Sequence, residues 1–158
     1  MSLSLKLKEL NIAIPKAVLP VANYLPCKLV GKMLYLSGQL PFEDGKINIK
    51  SKVEDGNIDD AKRAAKICVI QALSQVNAFF NPEQSDLSGI DEIVCCHKIG
   101  VFLNSQGSFD KHSLVANGAS DFLVELLGER GKHVRCAVGM SSLPLDASVE
   151  VEFLFEVK

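Results

Sequence analysis

Several things are missing from this sequence. No stretch approaches the roughly 20 apolar residues that a membrane span requires. Met1–Leu10, where a secretion signal would sit, alternates leucine with Ser, Lys and Glu and forms no continuous apolar block. No run of Lys or Arg exceeds two residues, and the formal net charge is −2. A surface that displaces counterions from phosphates needs clustered cations, so nucleic acid is not an expected partner. The five cysteines, at 27, 68, 95, 96 and 136, form an odd set without a C-x-x-C. Reduced and mostly buried thiols in a cytoplasmic protein are therefore expected. G-x-S-x-G, H-E-x-x-H, the P-loop and G-x-G-x-x-G are all absent, and the three histidines (97, 112, 133) are scattered.

What is present suits a single domain spanning 1–158. The chain is 47% hydrophobic and 23% charged, which excludes disorder by composition. A chain of this length can bury roughly 68–70% of its unfolded surface without disulfides or metals. No repeat, low-complexity stretch or linker interrupts it.

Hydrophobic period places the elements. Leu3, Leu7 and Leu10 predict a short amphipathic helix ending near Asn11, and Pro15 and Pro20 then keep the chain extended. Tyr24–Leu29 and Lys32–Gln39 read as a strand pair around Val30-Gly31. A turn over Pro41 to Gly45 precedes a short strand at Lys46–Ile49. Asn57 with Asp60 resembles a capping box opening a helix from Ile58 to Phe80, whose buried stripe is Ala61, Ala65, Cys68, Ala72, Val76 and Phe79. Ile90–Leu103 suits a central strand, and Ser108 to Leu127 a second long helix closed by Gly128. Val134–Met140 and Ser148–Val157 are the last strands. This order predicts an α+β fold, a mixed sheet with both main helices on one face.

Candidate chemistry is sparse. Cys95-Cys96-His97 hints at metal, but adjacent strand residues face opposite ways and no second ligand pair follows at zinc-like spacing, so core cysteines are expected. Gly38, in Ser37-Gly38-Gln39 at a strand end, either admits a ligand to the backbone or marks a bulge. Asn117-Gly118 breaks a helical pattern, which marks function or tight packing, or else the helix begins there with Asn117 as its cap. In the final strand Glu150, Glu152 and Glu156 share one face. Arg135 shares its face with the small residues Ala137 and Gly139, leaving room for a planar anion that its fork can hold bidentately. Glu150 would either bridge to Arg135, the blander and favoured expectation, or poise a water nearby.

Arg135-Cys136-Ala137-Val138, Leu143-Pro144 and Val149-Glu150-Val151-Glu152 together resemble the C-terminal signature of the RidA/YjgF family of imine and enamine deaminases. Tyr24, Leu36-Ser37-Gly38-Gln39 and Asn117 occur in the same order with closely matching spacing, so the resemblance spans about Tyr24 to Lys158. It implies a chorismate-mutase-like homotrimer with clefts between subunits. It also implies that Arg135 grips the carboxylate of a 2-imino acid or enamine and that Glu150 positions water. Tyr24, Gly38, Asn117 and Cys136, the last standing where many members have serine, would line the cleft. Hydrolysis would release ammonia and a 2-keto acid with no metal or organic cofactor. The alternatives are a non-catalytic trimer that binds small carboxylates, and the endoribonuclease or translation-inhibitor role attached to relatives. The N-terminal helix and the charged Gly128–His133 loop suggest a longer branch of the family.

Overall fold

Alternating apolar strands and two long helical stripes resolve into one layered unit. The computed structural model describes residues 2–17 and 23–158, so Pro20 lies outside the described residues. A seven-residue helix, α1 (Leu3–Glu9), is capped by Ser2 and buries Leu3 and Leu7. Its Ser4 bonds Asp91 through both backbone N–H (2.9 Å) and hydroxyl (2.7 Å). Strands β1 (Cys27–Val30) and β2 (Met33–Gln39) form the first hairpin. A two-residue hairpin, β3 (Phe42–Glu43) and β4 (Lys46–Ile47), follows. It turns on Asp44-Gly45, both at positive φ (51° and 73°), the backbone for which Asp-Gly is suited.

Helix α2 (Ile58–Phe80) begins and ends where the periodicity places it. Ala61, Ala65, Cys68, Ala72 and Val76 are buried as expected, whereas Phe79 is 40% exposed and meets Phe80 edge-on. The capping box lies one turn earlier than expected. Asn57 spends its side chain on the Glu54 N–H and the Lys52 carbonyl, and Asp59 and Asp60 favour the helix N-terminus through charge alone. Strand β5 (Ile93–Asn104) starts after a 3-10 turn at Ser88–Glu92. Helix α3 (His112–Leu127) starts four residues later than Ser108 and runs through Asn117-Gly118, so Asn117 is no cap. Strands β6 (Val134–Met140) and β7 (Val149–Val157) complete the chain.

The sheet order is β1-β2-β7-β5-β6. Every neighbouring pair is antiparallel except β5 with β6, whose parallel pairing uses α3 as the crossover. Residues facing α2 and α3 form the core: Leu36, Ile99, Val101, Val151, Phe153 and Phe155 are all buried. Among the described residues no helix lies over the opposite face, which exposes Tyr35, Val134, Val138 and Met140. No helix among the described residues is long and apolar enough to cross a membrane.

Gly118 explains how α2 and α3 approach so closely. A Cβ there would stand 2.1 Å from the Lys62 carbonyl oxygen, backbone that cannot swing aside. Gly118→Ala should therefore lower stability by about 1–3 kcal/mol despite alanine's better helix propensity, as overpacked helix contacts do. Urea unfolding checks this, and an unchanged or raised midpoint would show that the two backbones part without cost.

Candidate functional site

Strand alternation and register decide which candidates meet. Arg135 pairs with Ile99, which pairs in turn with Phe153, so its side chain leaves the sheet on the helix-covered side. There, at the sheet edge, it reaches α3. One guanidinium nitrogen donates to Asn117 Oδ1 (2.8 Å) and Ser120 Oγ (3.0 Å), the other to the Ser113 carbonyl (3.2 Å). Asn117 and Ser120 are neighbours on one face of the helix. Gly118, seated on α2, fixes the depth at which that face meets β6. Ser120 Oγ is within 2.9 Å of His133 Nε2, and His133 Nδ1 is 2.6 Å from the Gly131 carbonyl.

All these acceptors are uncharged. Among the described residues no carboxylate lies within ion-pair distance of Arg135, and its three bonds engage only part of the fork. A half-buried cation fixed by neutral partners and lacking a counter-charge has the chemistry to accept an anion. The expected Arg135–Glu150 bridge is absent. Glu150 pairs with Phe102 and leaves the sheet on the uncovered face, and β5 stands between its strand and β6. A period of two sends 135 and 150 to opposite sides once the register is set.

Glu150 instead lies against Gly38, where a Cβ would meet Glu150 Oε1 at 2.0 Å. The β2–β7 register shifts between Leu36 and Gln39, so Gly38 is at once a bulge and a seat for a side chain. Gly100 plays the same part for Glu152, with its would-be Cβ 2.6 Å from Glu152 Oε1. That glycine went unassigned in the sequence, although a Gly inside a strand is itself a sign of close approach. Cys136, opposite Gly100, is exposed on this outer face and so does not share Arg135's side. Tyr24 precedes β1 and is exposed, with no hydrogen bond to Arg135, Asn117 or Glu150. The missed members are Ser120, His133 and the Ser113 carbonyl, which only the packing of α3 on β6 reveals.

Burial pushes the Glu150 carboxyl above its ordinary value, and the Glu152 charge adds to the shift. Folding then takes up a proton between the ordinary and the raised pKa, so stability falls as pH rises through that window. Glu150→Gln should remove this loss. The variant is expected to be more stable than the parent above the window, with the difference vanishing in acid. Paired urea unfolding curves across that range check it, and a pH-independent difference would contradict the shift.

Comparisons with known proteins agree over nearly the whole chain. The family model described as "YjgF/chorismate_mutase-like, putative endoribonuclease" matches residues 5–157. The TCP17 protein of Trypanosoma cruzi is 38% identical over 158 residues, covering 96% of this chain and 91% of that one. The crystal structure of Atu1372 from Agrobacterium tumefaciens, a protein of unknown function, superposes with a TM-score of 0.85 at 41% identity, covering 99% of this chain and 94% of the other. A Shewanella oneidensis structure described as "a putative endoribonuclease" gives 0.86 at 25% identity, over 99% and 100%. The Escherichia coli YjgF gene product shares the fold, with a TM-score of 0.62 at 19% identity over 90% of this chain and 94% of the other. The signature that runs from Arg135 to Glu152 and the mixed sheet that carries it have one source: the chain belongs to the YjgF family.

Proposed function

We propose that this protein hydrolyses small 2-imino or enamine acids to 2-keto acids and ammonia, in clefts between subunits of a homotrimer. The observation that carries this reading is Arg135, a fixed and unpaired guanidinium on an edge strand. A planar carboxylate fits its fork, and a charge-assisted bond of about 1.5–3 kcal/mol is enough to orient a small acid. The carbon of a protonated imine is already electrophilic, so positioning and proton transfer supply what remains. Water adds through oxygen to that carbon and loses a proton to a base. The nitrogen takes up a proton, the C–N bond breaks, and ammonia leaves as the hydroxyl gives its proton to solvent and becomes the carbonyl; an enamine first takes a proton on carbon to become the imine.

Glu150 suits the base, since its raised pKa brings it closer to neutrality. Within one chain it stands two strands across and three residues along the register from Arg135, about 14 Å of sheet, and on the other face. The two can serve one substrate only when different copies of the chain contribute them. The uncovered face supports such an assembly, because Tyr35 and Val134 are 50% and 68% exposed there beside Val138 and Met140. The endoribonuclease description given to relatives finds less support here: the net charge is −2 and the open face presents Glu150 and Glu152.

Arg135→Ala should lower kcat/KM for carboxylated imines generated in situ by about 10–100-fold, the worth of the lost charge-assisted bond. The mass in sedimentation should stay unchanged. Full activity in this variant would sink the reading, as would a wild type that turns over no imine. Mixing Arg135→Ala with Glu150→Gln chains, followed by subunit exchange, should restore part of the activity, since some clefts then receive both intact groups. Failure of exchanged mixtures to recover would place the two residues in one chain's site or remove one from the reaction.

A further inference from the structure

At the far end of the open face, about 20 Å along β7 from Glu150, three side chains converge that the proposed reaction leaves unused. Cys95 Sγ lies 3.5 Å from His97 Nε2 and 3.6 Å from Glu156 Oε2, and the histidine nitrogen and glutamate oxygen are 3.0 Å apart. Two come from alternate positions of β5 and the third from β7 across the ladder, where Cys95 pairs with Glu156. Register shifts flank this stretch on both sides, between Ile93 and Cys95 and between Cys96 and Lys98. Bulges of this kind re-aim side chains. Adjacent Cys95 and Cys96 do face apart, as alternation demands, and Cys96 is buried. The metal hint in Cys95-Cys96-His97 fails for that pair but not for Cys95 with His97.

We infer that Cys95, His97 and Glu156 form a binding site for a zinc-like divalent cation. The spacing fits a tetrahedral ion. Bonds of about 2.3 Å to sulfur and about 2.0–2.1 Å to nitrogen and oxygen set ligand atoms about 3.5 Å apart across S···N and S···O, and about 3.3 Å across N···O. The donors are one thiolate, one imidazole and one carboxylate, the mixture that borderline-soft divalent ions take. An ordinary His–Glu ion pair has no need of a thiol within reach of both partners. Binding displaces the thiol proton, and the dication is then neutralised by thiolate and carboxylate. The nearby cations Arg130, anchored to the Val94 carbonyl, and Lys32 therefore face a neutral centre. Cys95 is half-buried and the His97 and Glu156 side chains are 42% and 35% exposed, so these three residues leave the fourth position unfilled within one chain. Three protein ligands with one open position is the arrangement that binds water or an exogenous anion on the metal.

Cobalt(II) tests the site on the full-length protein after treatment with a chelator. Titration should give one equivalent per chain, with tetrahedral d–d absorption and a thiolate-to-cobalt charge-transfer band that zinc then bleaches. Cys95→Ser should abolish the charge-transfer band, whereas Cys136→Ser, which removes the exposed thiol elsewhere on the same face, should keep it. His97→Ala and Glu156→Gln should each weaken binding at least about tenfold, since even the loss of an outer-shell partner costs that much. No band in the wild type, a band that survives Cys95→Ser, or affinity unmoved by both His97→Ala and Glu156→Gln would overturn the assignment. None of these readouts depends on imine turnover.

Discussion

A sheet that carries both of its long helices on one side has a second side that no described element covers, and most of this molecule follows from that. Each strand residue takes its place on the packed face or the open one by position alone. On the packed face the result is an aliphatic and aromatic core, with Val151, Phe153 and Phe155 closing over α2. On the open face the same strand presents Glu150, Glu152, Leu154 and Glu156. Two glycines, Gly38 and Gly100, let the first two carboxylates lie flat against the backbone of neighbouring strands. Laid down in this way they leave a surface that another chain can approach, with charge kept close to the sheet.

Arg135 escapes the apolar fate of the packed face because β6 is the edge strand. Helix α3 covers the sheet only up to that edge, so an arginine there can rest against the helix while its head stays accessible. The depth of α3 is set elsewhere, by the backbone contact of Gly118 with Lys62 on α2. The residue just before that glycine is Asn117, which receives the guanidinium. Packing of two helices and placement of the Arg135 guanidinium are thus the same local event, and a residue with a side chain at 118 would disturb both. Neutral acceptors hold Arg135 in direction without quenching its charge.

The sequence discloses unequal parts of this. Helix α2 is legible to the residue at both ends, because alanine, cysteine and valine at helical spacing stand between an acidic first turn and Asn81-Pro82. The faces of β7 read directly from alternation. Alternation reports which side a residue takes but not which strand lies beside it, and so Arg135 and Glu150 could be imagined as partners when the register sends them to opposite faces. Asn117-Gly118 could not be settled locally, since a cap and a close contact leave the same mark on a sequence. Ser120 and His133 carry no local signal at all, because their role exists only once α3 lies on β6. Glu156 is the same kind of omission: its proximity to Cys95 is a property of cross-strand register between residues far apart in the chain. Helix α3 began later than expected because the residues around Ser108 are taken up in the turn that brings Phe109 against His112.

The position of β7 at the centre of the sheet has a further consequence, for how the molecule comes to exist. It is the last strand in sequence, yet it separates the first hairpin from the β5–β6 pair and hydrogen-bonds to both. Until it inserts, the sheet is two unconnected fragments, each with a bare edge. Pairings so distant in sequence incur their loop-closure entropy before any contact rewards it, which slows folding and exposes intermediates to association. The β-strand that holds Glu150 is therefore also the keystone of assembly order, and a chain cannot present that carboxylate in its seat before the rest of its sheet is joined.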